Sequence, residues 1–333
     1  MGSARIKVLT VLTIGALLLV VPTSAFATTD AERATRGLGF IASQQKPNGS
    51  IPAFSPIGST ADAVLAAVAV GHGRGVVRDA LGYLARQVEA GNVTGVGLQA
   101  KIVLAVSTAG RDPRAFGGAN LVAGLRGTIS AGRFGDAAVF DDALATLALE
   151  SAGITPSTAV TGWLLEAQCP DGGWAYDEPY AAGTDDVSCD DGSGNDFFTS
   201  DSNTTSYVVQ ALEAANRGTF GADPFAFFDA VRDDAHGGWS YSAGFIATDA
   251  NSTALVLQAY AAAGDPVPAG GRSALRALQY PNCGAWAYSY DGRPRGTPDI
   301  GATIGAVPGL LLQALPFSGP VVGPITPTPP CAT

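Results

Sequence analysis

Three aspartates stand at matching places in the chain, each four residues before a Thr at the start of an apolar stretch: Asp201-Ser202-Asn203-Thr204-Thr205, Asp249-Ala250-Asn251-Ser252-Thr253 and Asp299-Ile300-Gly301-Ala302-Thr303. Two carboxyl groups set about 5 to 10 Å apart suffice for hydrolysis of a glycosidic bond, so Asp201, Asp249 and Asp299 are the candidate acids. The same residues fit a structural role, because Asp is a favoured helix N-cap and its charge complements the helix dipole. Two residues further on, Asn203 and Asn251 offer amides, and Tyr176, Tyr241 and Tyr288 follow three tryptophans at a constant distance. These five would form a polar rim for a ligand.

A second cluster suggests a cation. Asp185, Asp186, Asp190, Asp191 and Asp196 crowd a Gly- and Ser-rich stretch, and such hard oxygen ligands on a pliable loop suit Ca²⁺. The spacing is not that of an EF-hand, and a solvated acidic loop has the same composition. The four cysteines, Cys169, Cys189, Cys283 and Cys331, allow three pairings. Pairing nearest neighbours in sequence joins Cys169 to Cys189 and Cys283 to Cys331.

The elements that position these residues repeat. The turn Gln168-Cys169-Pro170-Asp171-Gly172-Gly173-Trp174 returns as Asp233-Asp234-Ala235-His236-Gly237-Gly238-Trp239 and Tyr280-Pro281-Asn282-Cys283-Gly284-Ala285-Trp286, and in weaker form as Gln44-Gln45-Lys46-Pro47-Asn48-Gly49-Ser50. Counted from the residue that ends each first helix, the units begin at Gln44, Gln87, Ser130, Gln168, Asp233 and Gln279. Periods of this length signify stacked supersecondary units. Within a unit the first helix is amphipathic, as at Leu38-Gly39-Phe40-Ile41, and the second is apolar all round, as at Ala63-Val64-Leu65-Ala66-Ala67-Val68. A helix apolar on every side must be buried and one with a single apolar face lies outside it. Six hairpins therefore predict an all-α fold, an α6/α6 toroid over residues 28–315. The long interval after Gln168 holds an acidic insertion at about 177–201. Trp174, Trp239 and Trp286 serve the repeat as packing staples.

Composition bounds the rest. A chain of 333 residues with 47% apolar content buries a large core. Residues 1–27 carry Arg5 and Lys7, an apolar run from Val8 to Val21 and the small-residue site Ala25-Phe26-Ala27, the pattern of a secretory signal peptide. Its removal takes the formal net charge from −10 to −12, which excludes nucleic acid as a partner and leaves no membrane span in the mature chain. An exported chain with an even cysteine count suggests disulfides. Residues 316–333 form a Pro/Thr-rich tail, held by Cys331.

The Gln-x-x-x-Gly-Gly-Trp turns and the Asp-initiated inner helices resemble the terpenoid cyclase and protein prenyltransferase superfamily, specifically bacterial proteins with prenyltransferase and squalene-cyclase type repeats. The resemblance spans Glu32 to Leu315 and implies the toroid. It does not carry the chemistry across. Squalene-hopene cyclases protonate an alkene with the middle acid of Asp-x-Asp-Asp-Thr, where this chain has Asn203, Asn251 and Gly301. Asp141-Asp142-Ala143-Leu144-Ala145 lacks the last acid of the Asp-Asp-x-x-Asp pyrophosphate motif, and the zinc ligands of the prenyltransferases are not matched. The expectation is a secreted, non-catalytic binding or scaffold protein whose partner is a small molecule, a glycan or an extracellular protein, with calcium ordering the acidic loop. The alternative is an enzyme, either a divergent terpene cyclase or a glycan-active α6/α6 barrel using its rim carboxylates.

Overall fold

The computed structural model describes residues 28–135, 138–177, 189, 198–290 and 295–331. The expected signal peptide at 1–27 and the calcium candidates Asp185, Asp186, Asp190, Asp191 and Asp196 lie outside them. Among the described residues, six helices alternate with six others along the chain. The inner set is α2 (Pro56–Val70), α4 (Val96–Thr108), α6 (Val139–Ser151), α8 (Ser202–Ala214), α10 (Ala250–Ala263) and α12 (Ile300–Leu310). Each packs on the next, and α12 packs back on α2, so the ring is closed. The outer set is α1 (Asp30–Gln44), α3 (Arg74–Glu89), α5 (Leu121–Gly127), α7 (Thr158–Glu166), α9 (Pro224–Ala230) and α11 (Gly271–Ala277). The fold is the all-α α6/α6 toroid.

The inner helices are buried on nearly every side, as in α4, where Ala100 and the run from Ile102 to Val106 are inaccessible or nearly so. Since each hairpin goes up through an outer helix and down through an inner one, all six inner N-termini gather at one end. Caps mark that end. Ser55 with Pro56 starts α2, while Asp201, Asp249 and Asp299 each accept the N–H three residues on.

The repeated turn is a fastener between neighbours. Gln168 donates through Nε2 to Gly172 and to Ala222 of the next unit, both at 2.9 Å, and Gln279 donates likewise to Gly284 and to Arg33 of α1. In the first unit this work falls to Gln45, bonded to Gly49 and Val76, so the register is one residue later than the Gln44 count implies. The first glycine of each turn has positive φ, and its Cα lies against the backbone of the following outer helix or its cap: Gly172 on Asp223, Gly284 on Arg36. A side chain would separate the units, which is why the position needs glycine. Trp174, Trp239 and Trp286 are fully buried, and the Trp174 and Trp286 indole N–H groups donate to Leu164 and Leu275, each at 2.7 Å. The ring is sealed where Arg272 and Arg276 of α11 grip Asp30 of α1.

After α12 the chain turns at Leu312, in left-handed backbone, and runs as an extended strap. Val322 pairs with Gly71 at the base of α2, Thr328 with Gly39 of α1, and Cys331 forms a disulfide with Cys283. Cys169 is joined to Cys189. Among the described residues no helix is long and apolar enough to cross a membrane.

Candidate active site

A cavity of about 570 Å³ occupies the bore of the inner ring, within the usual range for small-molecule sites. Small residues make the room. Gly58, Gly97, Gly301 and Gly305 face it from three inner helices, and Gly97 adjoins the carboxylate of Asp141 so closely that no side chain would fit there. Apolar walls come from Leu65, Phe140, Leu255 and Ile304.

Into this greasy space project one lysine and two acids. Asp62 on α2 pairs with Lys101 on α4 at 2.6 Å. Burial disfavours the Lys101 charge, but the Asp62 carboxylate and further negative groups raise its pKa above the ordinary lysine value. The ammonium is therefore permanent. Asp141, in the first turn of α6, is raised instead: loss of water is the main cause, attraction to Lys101 opposes it and repulsion from Asp177 adds to it. The cavity thus holds a carboxyl group biased toward its protonated form and a second that is locked against a cation. Tyr207 on α8 is pushed up to about 12, chiefly by burial, and so stays a neutral hydroxyl. Its ring meets Phe140 edge-on at 5.1 Å, and Phe140 stacks on Tyr176 at 5.6 Å. Asn203 and Asn251 supply amides, and Asn203 Oδ1 is buried without a hydrogen-bond partner among the described residues, an acceptor that a ligand hydroxyl would satisfy.

The rim residues anticipated from sequence divide. Asn203 and Asn251 line the cavity. Tyr176, Tyr241 and Tyr288 stand above it, their carbonyls accepting the N–H groups of Phe140, Ser202 and Ala250 that begin α6, α8 and α10. The candidate acids Asp201, Asp249 and Asp299 sit on helix ends. Asp201 is buried and takes bonds from the Thr204 N–H and hydroxyl, at 2.7 and 2.8 Å; Asp249 is buried and takes the Ser252 N–H at 2.8 Å; Asp299 is exposed and caps Ala302. Burial outweighs those bonds and lifts both Asp201 and Asp249 to about 6. None of the three lines the cavity.

Asp62, Lys101 and Tyr207 were not among the sequence candidates, and Asp141 entered only as part of an incomplete pyrophosphate motif. The available signal was a charge in a wholly apolar helix, as in Ala61-Asp62-Ala63 and Ala100-Lys101-Ile102, since a buried charge needs a partner or a task. Among the described residues no three His, Cys, Asp or Glu side chains gather as a metal site.

No protein-family model matches the sequence, and no curated protein matches it. Solved structures do. The α-1,6-mannanase GH76A of Salegentibacter sp. HEL1_6, as an inactive variant bound to α-1,6-mannotriose, superposes with a TM-score of 0.55 at 13% identity, covering 86% of this chain and 99% of that one. An unsaturated glucuronyl hydrolase specific for heparin gives 0.57 at 13% identity, covering 85% and 95%. A glycosidase bound to glucose gives 0.50 at 15% identity, covering 85% and 95%. At such identity the likeness is one of fold. It overturns the expectation of a non-catalytic binding or scaffold protein on a cyclase-like toroid, because the toroids it matches are named hydrolases acting on glycans. The repeated carboxylates Asp201, Asp249 and Asp299 close helix ends, whereas the acids that line the cavity, Asp62 and Asp141, lie elsewhere.

Proposed function

We propose that the protein is a glycan-active hydrolase working in the bore of the toroid, with Asp141 as proton donor and Asp62 as the second carboxylate. The observation that carries this reading is the placement of both acids beside Lys101 in a cavity with largely apolar walls. Glycosidic cleavage requires two carboxyl groups, one of them able to give a proton, and burial favours the neutral form of Asp141. Asp141 gives its proton to the glycosidic oxygen as the bond to the anomeric carbon breaks. Asp62, paired with Lys101, faces the positive charge that develops on the sugar. Water then supplies hydroxide to the anomeric carbon and a proton returns to Asp141. Tyr207, Asn203 and Asn251 bind sugar hydroxyls, and Phe140 provides an apolar face. The likeness of fold to a mannanase adds support. Here Asp142 is fully buried and accepts the Phe134 N–H at 2.9 Å, so it braces the start of α6 rather than facing the bore.

We further propose that the protein acts outside the cytoplasm, as its two disulfides and the signal-peptide pattern of residues 1–27 suggest. The resemblance of its turns to prenyltransferase and squalene-cyclase repeats we take as shared architecture without shared chemistry. Reducing-end release from a glycan panel that includes α-1,6-mannan tests the reading. Release by the protein and none by Asp141→Asn is expected. A panel left wholly intact, or an Asp141→Asn variant as fast as the parent, rejects it.

A further inference from the structure

The cavity meets solvent beside Phe54, whose side chain is fully exposed. Its rim is formed by Phe54, Thr94 and Gly95 from the loops above α2 and α4, and by Asn203, Asn251 and Gly301 at the starts of α8, α10 and α12. From Asn251 to Gln258, both cavity residues on α10, the bore descends about 10 Å at 1.5 Å per residue. There it meets Leu315 and Phe317, which belong to the strap and not to any barrel helix.

That floor is anchored from two sides of the ring. Gln210 of α8 accepts the Leu315 N–H at 2.9 Å, and Gln258 of α10 donates to the Gln313 carbonyl at 2.6 Å. Leu315 is only 6% exposed. Beyond it the strap is held by Gly71 and Arg74, by Gly39, and by the Cys283–Cys331 disulfide. Leu315 and Phe317 thus lie across the line along which a polymer would thread the bore. Asp62 lies two helical turns below Ser55, the cap of α2, so its carboxylate is reached only by something that enters from the rim, while Asp141 sits higher, in the first turn of α6.

We propose that the toroid is a blind pocket that admits one end of a glycan chain and releases a mono- or disaccharide, with Leu315 and Phe317 of the strap setting how many sugars enter. This rests on the hydrolase reading above. The charges in the pocket suit a neutral terminal sugar, because Lys101 is already matched by Asp62 and no other cationic side chain lines the pocket among the described residues. The strap is thus a specificity element built from the residues that follow the last repeat.

The test uses the full chain and a linear oligosaccharide series of whichever glycan the panel shows to be hydrolysed. Products are followed by mass spectrometry from the first time points, with each chain end blocked in turn by a bulky aryl group. Mono- or disaccharide from the outset, with release abolished by blocking one end and unaffected by blocking the other, is the expected result. An early ladder of intermediate fragments, or release that survives a block at either end, overturns the blind pocket while leaving the hydrolase reading in place. If no glycan is hydrolysed, the hydrolase reading falls and takes this proposal with it. Phe317→Ala, with Phe317→Leu as the conservative control, is expected to lengthen the released product by one sugar. An unchanged product from a folded Phe317→Ala variant removes Phe317 from the floor's role.

Discussion

The carboxylates at the top of the barrel and those within it make opposite use of the same residue type. Asp201, Asp249 and Asp299 recur with the repeat, and each closes a helix end. Asp62 and Asp141 recur with nothing. They stand at different depths on different helices, joined only by Lys101 between them. In a tandem array, a residue present in each unit is explained by what each unit needs, namely capping, packing and attachment to its neighbour. A residue that breaks the pattern inside the core has no such explanation, and its burial cost calls for another.

The widest separation between the two groups is expected in activity. Asp141→Asn should lower kcat by about 10²- to 10⁴-fold, the usual contribution of a general acid. Because burial already favours the neutral form of this side chain, thermal stability should stay level or rise slightly. A variant that loses stability and activity together would place Asp141 among the structural acids. With the parent enzyme, activity should fall as pH rises through the Asp141 pKa, which lies above the ordinary carboxylate value. A pH-rate profile without that descending limb would contradict the assignment.

The converse experiment targets the repeat. Trp286 is fully buried, donates to Leu275 at 2.7 Å and has Gly37 of α1 packed against its ring. Trp286→Ala should cost about 3 to 5 kcal/mol in denaturant unfolding, while the protein that remains folded keeps its catalytic rate. A small stability change would mean the ring closes by other contacts, the Asp30 clasp foremost.

Which of these features were visible in the chain follows from the same division. The turns Gln168 to Trp174 and their copies are legible because a repeat advertises itself by recurrence, and from them come the toroid, its hairpin order and the buried inner ring. The pairing of the four cysteines follows sequence proximity. Asn203 and Asn251, picked out by their fixed distance from the caps, line the cavity. Asp62 and Lys101 were not legible, since their meeting depends on α2 and α4 presenting the same face to the bore, and a count by repeat discards single deviations. The strap's part in the cavity was hidden for a similar reason: Leu315 and Phe317 are apolar residues at the edge of a Pro-rich tail, and nothing local marks them as a floor.

Lys101 tests whether the cavity charges are coupled. Lys101→Met leaves Asp62 without its cation. Full burial would make this cost 3 to 5 kcal/mol, but both side chains are partly open to the cavity, at 22% and 29%, so about 1 to 2 kcal/mol is expected. Activity should fall as well, and the descending limb of the pH profile should move to higher pH, because Lys101 no longer favours ionised Asp141. Adding Asp62→Asn should restore stability without restoring turnover. If the double variant recovers neither, Lys101 has a packing role that the ion pair does not describe.

The smallest effect is the one that isolates the caps. Asp249 titrates at about 6 in the folded protein, against an ordinary value of 3.8. Between those values the native state retains a proton that the unfolded chain has lost, so stability declines as pH rises from about 4 to about 6 and then levels off. Asn caps a helix as well as Asp does and can still accept the Ser252 N–H. Asp249→Asn should therefore remove that part of the pH dependence and stabilise the protein at neutral pH by on the order of 2 kcal/mol, with turnover unchanged. Asp299→Asn, at an exposed cap, should shift stability by no more than a few tenths of a kcal/mol. Unfolding curves at pH 4 and pH 7 decide it: if Asp249→Asn runs parallel to the parent at both, the buried cap is ionised without penalty, and the contrast between repeated and singular acids would rest on activity alone.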